Sequence, residues 1–225
     1  MRIFSRIFIY FCFIIFLIPN NLNASSNFCE EAIQTVEKKY NIPYKLLSAI
    51  SLTETGRTID GNFVSWPWSF NVSGKTVLFE NEDNARKFLK EKIKKNLNNI
   101  DIGCMQINYK YHNKRFKNLD DILNPLSNVD WAAKYLKSLF SKYKSWNTAI
   151  SRYHSSNPKR MKNYLKKVHK NWNIERQKRK VSIFINKENI TKDNLTHLDF
   201  KSFYYKENKD KIDFFRQDFI KNRSI

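Results

Sequence analysis

The stretch KLLSAISLTETGR (45–57) decides how the rest of the chain is read. Good helix formers run from Lys45 to Leu52, and Leu46, Leu47 and Ile50 give them a buried stripe. Pro43 suits a first turn, so the helix is expected over 43–54. The run ends in one carboxylate, Glu54, and Thr55, Gly56 and Arg57 break the pattern. Apolar surroundings and the negative end of a helix dipole both disfavour an ionised acid there. A glycosidase needs such an acid, because it must still hold a proton near neutral pH. Position alone leaves a second reading open, a solvated glutamate in a loop.

Upstream, FCEEAIQTVEKKY (28–40) is an amphipathic helix, with Ala32, Ile33, Val36 and Tyr40 on one face. Asn27 is its expected N-cap, and Glu30 and Glu31 suit its first turn. Downstream, NFVSWPWSFNVSGKTVLFE (62–80) changes period. Trp66, Trp68, Phe70 and Val72 alternate, and Ser73-Gly74 marks a hairpin turn. A basic amphipathic helix is expected over 84–97, and DIGCMQIN (101–108) is short and apolar around Gly103. YKYHNKRF is expected to be loop. A strong helix follows Pro125, with Val129, Ala132, Ala133, Leu136, Leu139 and Phe140 inward. Further helices are expected over 145–156 and 158–172, the last with Met161, Leu165, Val168 and Trp172 inward. Residues 27–172 thus form an α+β domain, mainly α, with one small β-hairpin. Residues 173–225 are a basic C-terminal extension, with an amphipathic pattern through Ile212, Phe215 and Phe219.

Composition supports one domain plus an extension. The chain has 225 residues, 41% of them hydrophobic and 15% aromatic, which is enough for a core. The N-terminus stands apart: MRIFSR, an apolar run over 7–19, then NNLNASS. That order is a secretory signal peptide, with cleavage expected after Ala24 and an uncleaved anchor as the alternative. The apolar run is too short for a transmembrane helix, which needs ~20 residues. Cys12 lies in that segment. The mature chain keeps Cys29 and Cys104, which in an oxidising compartment suggest one disulfide; two buried thiols are the alternative. The net charge of +20 suits an anionic envelope, and export argues against nucleic acid as the partner.

Several chemistries drop out on spacing. The four histidines do not pair as metal ligands and no CxxC is present, so no metal and no cofactor is expected. Nucleotide-binding loops and the GxSxG elbow are missing too. Carboxylate chemistry remains.

Three motifs in order resemble the SLT-type lytic transglycosylases, which have a lysozyme-like domain. SLTETGR resembles their E-S-G motif, with Thr55 in place of serine. GCMQIN (103–108) resembles G-L-M-Q-I, with Cys104 in place of leucine. AISRYHS (149–155) resembles A-x-x-x-Y-N, with His154 in place of asparagine. The hairpin and Cys29 resemble a secreted, alphaproteobacterial-like branch. The likeness spans about residues 28–172.

The resemblance implies cleavage of peptidoglycan between N-acetylmuramic acid and N-acetylglucosamine, leaving 1,6-anhydromuramyl ends. It implies catalytic roles for Glu54, as acid and base, and for Tyr153, as its hydrogen-bond partner. Thr55, Met105, Gln106 and Asn108 become expected substrate contacts. Trp66 and Trp68 are candidate sugar platforms or hairpin core. A Cys29–Cys104 bond would pin the first helix to the second motif. Asp101 is a loop acid, or a second carboxylate for hydrolysis if it reaches the cleft. His112 and His154 are expected to be loop histidines. The alternatives in function are a lysozyme-type hydrolase and a non-enzymatic wall-binding protein of a secretion system. The expected state is a periplasmic monomer, with a secretion or envelope-spanning complex as a further partner.

Overall fold

The computed structural model describes residues 28–187, and side-chain surroundings through residue 178. The signal segment with Cys12, the Asn27 cap and the Ile212–Phe219 pattern lie outside the described residues. The chain divides into two units after Gln177, and the site lies in the first.

Helix α1 spans Phe28–Tyr40 as its pattern requires, with Ala32, Ile33 and Val36 buried. Helix α2 spans Leu46–Thr55. It starts later than Pro43 because Lys45 takes a left-handed conformation and Leu46 N–H turns back to the Pro43 carbonyl. Its expected stripe is a full circumference instead: every residue from Leu46 to Leu52 is buried. This is the central helix, and its two serines survive burial by hydrogen bonding. Ser48 Oγ donates to Glu30 Oε2 and Ser51 Oγ to the Cys104 carbonyl.

The N-terminus of α2 is capped from outside. Glu37, on α1, accepts from Leu47 N–H at 2.7 Å and Lys45 N–H at 3.1 Å. A carboxylate suits that end, where unpaired amides and the helix dipole concentrate positive charge. Burial comes first among the causes acting on Glu37 and lifts its pKa to about 7 against those two amides.

Two small antiparallel sheets follow, more than the single hairpin expected. Strands β1 (Arg57–Ile59) and β2 (Asn62–Val64) pair by themselves. Strands β3 (Ser69–Val72) and β4 (Lys75–Leu78) form the hairpin around Ser73-Gly74. Two short strands, β5 (Ile100–Ile102) and β6 (Ile107–Asn108), extend that sheet to the order β4-β3-β5-β6. Between hairpin and β5 lies α3 (Glu82–Lys94), whose N-cap Asn81 accepts from Asn84 N–H.

The expected loop after β6 holds a short helix, α4 (Tyr109–His112), and a 3-10 turn, Asn113–Arg115. Then come α5 (Leu119–Leu123), α6 (Pro125–Tyr143) and α7 (Trp146–His154). Helix α6 opens with Pro125 behind the cap Asn124, as its sequence requires. Helix α8 spans Pro158–Lys187, so it continues past the expected end at 172.

The core is one cluster built on α1, α2, the four-stranded sheet, α6 and α7. Trp66 and Trp68 belong to it, at 7% exposure each. Trp66 Nε1 donates to the Phe79 carbonyl, and the two indoles meet edge to face. The sugar-platform reading is therefore corrected to hairpin core: neither ring offers a pyranose a free face.

Candidate active site

Glu54 sits in the last turn of α2, half-buried. The chain leaves the helix at Gly56, whose N–H closes on the Leu52 carbonyl at 3.1 Å. A Cβ there would lie 2.2 Å from that carbonyl oxygen and 2.3 Å from Phe63 Cζ. Glycine is thus required for close approach, and it lets β1 and β2 pack beside the acid.

Tyr164, on α8, donates its hydroxyl to Glu54 Oε1 at 2.6 Å. Burial raises the Glu54 pKa from 4.5 to about 7. The Tyr164 hydroxyl and the Lys167 ammonium pull it down, and Asp101 pushes it up. Both the acid and the carboxylate are therefore populated near neutral pH, as a group that gives and later takes a proton requires.

The expected partner of Glu54 was Tyr153, and this is corrected. Tyr153 donates to the Met105 carbonyl at 2.8 Å, because α7 lies over the second motif. Its ring remains close enough to Glu54 for the acid's charge to raise the phenol's pKa further, after burial. His154, next along α7, stacks flat on Tyr164, with centroids 4.3 Å apart and planes 2° apart. It is a cover over the tyrosine rather than a loop histidine. Burial, then Arg160 and Lys167, lower its pKa. His112 packs on the rings of Trp131 and Tyr135.

The GCMQIN stretch is the tight turn between β5 and β6. Gly103 has φ +78, and a Cβ on it would meet the Asn128 amide nitrogen at 2.7 Å. Asn128 is fully buried on α6 and holds this turn. Its Oδ1 accepts from Met105 N–H, and its Nδ2 donates to the Ile102 and Ile122 carbonyls. Gln106 Nε2 closes the turn onto the Ser69 and Gly103 carbonyls. Asn108 Nδ2 donates to Asp101 Oδ1 at 2.8 Å and to Asn99 Oδ1. Asp101 is half-buried, and desolvation raises its pKa.

Two expected substrate contacts are corrected by burial. Met105 is fully buried core. Thr55, 6% exposed, donates to the Ser51 carbonyl and accepts from Trp66 N–H. Its hydroxyl ties α2 to the segment leading into β3 rather than facing a sugar. Gln106 and Asn108 are half-buried at the turn, beside Asp101.

Cys29 and Cys104 form a disulfide, with Cα atoms 5.7 Å apart. It links the first turn of α1 to the turn that Ser51 also grips through the Cys104 carbonyl.

Sequence reasoning missed Tyr164, Asn128 and Glu37. Asn128 carried a signal, since it falls on the apolar face of α6 one turn before Ala132. Tyr164 likewise precedes Val168 by one turn on the inward face of α8. Among the described residues, no three His, Cys, Asp or Glu side chains gather as a metal cage.

A central buried helix that ends beside a small antiparallel sheet, under a cover of further helices, is a lysozyme-like α+β arrangement. The family model described as Transglycosylase SLT domain matches residues 31–176, and the chain belongs to that family. The family supports, in general terms, lytic transglycosylase activity on peptidoglycan, outside the cytoplasm. Searches of curated proteins and of solved structures gave no match. Among the described residues, no helix is long and apolar enough to cross a membrane.

Proposed function

We propose that this protein cleaves the β-1,4 bond from N-acetylmuramic acid to N-acetylglucosamine without water. Glu54 protonates the leaving oxygen as the C1–O bond breaks. The substrate's own N-acetyl group stabilises the cation at C1. The Glu54 carboxylate then takes the proton of the C6 hydroxyl as O6 bonds to C1. The product is a 1,6-anhydromuramyl end. One carboxylate performs both proton transfers, and no second carboxylate is needed as nucleophile or to activate water. The observation carrying this reading is Glu54 itself, hydrogen-bonded by Tyr164 and balanced by burial near pH 7. Residues 1–24 are read as the export signal that delivers the domain to the periplasm.

Mass spectrometry of digested sacculi tests it. Wild type should release anhydromuramyl ends, and Glu54→Gln should lose at least ~10³-fold in rate with its fold retained. One observation favours a second reading: the charge of Asp101 reaches Glu54. If reducing muramic ends appear instead, and Asp101→Asn abolishes them, the domain is a lysozyme-type hydrolase.

A further inference from the structure

The face that α8 turns toward the acid carries positive charge. Residues 160, 164, 167 and 171 recur at helical spacing on one side. Tyr164 holds Glu54, and Asn171 Nδ2 donates to Thr53 Oγ1, one residue before the acid. Arg160 and Lys167 lie one turn to either side of Tyr164, and both are exposed. Neither forms an ion pair with a described residue. Both lie near enough to His154, stacked on Tyr164, to act on it, and Lys167 also acts on Glu54. The acids on the facing elements are Glu54 and Asp101, each already hydrogen-bonded, to Tyr164 and Asn108. Burial lifts both of those acids toward their neutral forms. The mouth of the site thus carries two exposed cations with no ion-pair partner among the described residues.

We propose that Arg160 and Lys167 form a carboxylate-binding rim. It selects glycan whose muramic acid carries a peptide with a free acid group beside the scissile bond. This rests on the reading of Glu54 as the acid that acts at muramic acid. The sugar backbone is otherwise neutral. Its anionic groups hang from the lactyl ether of the muramic ring, the ring whose C1 must reach Glu54. A substrate seated on Glu54 therefore brings its peptide to the rim of α8. Arg160 offers a planar fork suited to a carboxylate, and Lys167 a point charge. A uniformly basic surface would attract anions anywhere; this pair is placed by the contacts of Tyr164 and Asn171.

Isothermal titration calorimetry of the full chain tests the rim without turnover. The ligands are the disaccharide N-acetylglucosaminyl-N-acetylmuramic acid bearing an alanyl-glutamate dipeptide, with both carboxyls of the glutamate either free or amidated. Wild type should bind the acid about fivefold more tightly than the amide. The gap should close at about 0.5 M salt. Arg160→Gln and Lys167→Gln should each narrow it to under about twofold, whereas Lys162→Gln, off this face, should leave it unchanged. Equal affinity of wild type for both ligands overturns the rim, as does a variant that weakens both equally. An acid preference that survives while no anhydro product forms would sink the reading of Glu54 and leave the rim standing.

Discussion

Replacing Tyr164 by phenylalanine removes the hydroxyl on Glu54 Oε1 and leaves a ring for His154 to stack on. That hydroxyl favours the charged form, so its loss moves the Glu54 pKa further above about 7. The falling limb of the kcat/KM profile should shift to higher pH, with activity down about 10- to 100-fold. Tyr153→Phe loses a bond to a backbone carbonyl instead, costing about 1 kcal/mol of stability with a smaller shift of the limb. Equal shifts in the two profiles would reject this division of roles. Glu54 also leaves a mark on stability. Its folded pKa is raised from 4.5 to about 7, so its contribution is complete below 4.5 and is lost as pH rises through about 7. Glu54→Gln should therefore gain in melting temperature over wild type across that window and hold the gain above it. Glu37 titrates in the same window in both proteins and cancels from the difference. A calorimetric difference that stays flat with pH would contradict the raised pKa.

At the scale of elements, helix α2 depends on a neighbour for its N-terminus. Glu37→Ala strips the acceptor from two amides at the start of α2, and should cost about 1–3 kcal/mol in denaturant unfolding. The turn between β5 and β6 depends likewise on Asn128. Asn128→Ala leaves a buried N–H and two carbonyls without that partner, and Gly103→Ala pushes a methyl into the same amide. Each should destabilise the domain by more than about 2 kcal/mol. A variant of either kind that melts like wild type would show the amide is not holding the turn. Elements with local signals were legible in the sequence: α1 by its 3.6 period, the hairpin by Ser73-Gly74, α6 by Asn124-Pro125. Strands β5 and β6 were not, because three and two residues carry too little pattern; β5 exists by pairing with β3, and β6 by pairing with β5. The position of Glu54 was legible through its motif. Its partner was not, since a tyrosine 110 residues away is chosen by helix packing and not by any local rule. Trp66 and Trp68 failed for the same reason: alternation marks a strand face without saying whether the core or the cleft covers it.

Across the whole domain, the disulfide is the longest covalent constraint described. It closes a loop of 75 residues, worth up to ~4 kcal/mol in the chain-entropy model. Reduction should lower the melting temperature, and activity with it, because the Cys104 carbonyl anchors Ser51 three residues before the acid. An unchanged melting temperature in dithiothreitol would count against that coupling. Helix α8 ties the domain together without a covalent bond. Tyr164 reaches Glu54, Asn171 reaches Thr53, Trp172 Nε1 reaches the Tyr44 carbonyl, and Glu175 lies 3.7 Å from Lys45. These contacts set a timetable as well as a structure. A ribosome that has made the first 157 residues has already made Glu54 and both disulfide cysteines, and none of α8. In that nascent chain the acid has no phenol to hold it and no cation beside it. Helix α8 is thus the arming step of synthesis, and a chain interrupted before Pro158 carries the acid without its setting.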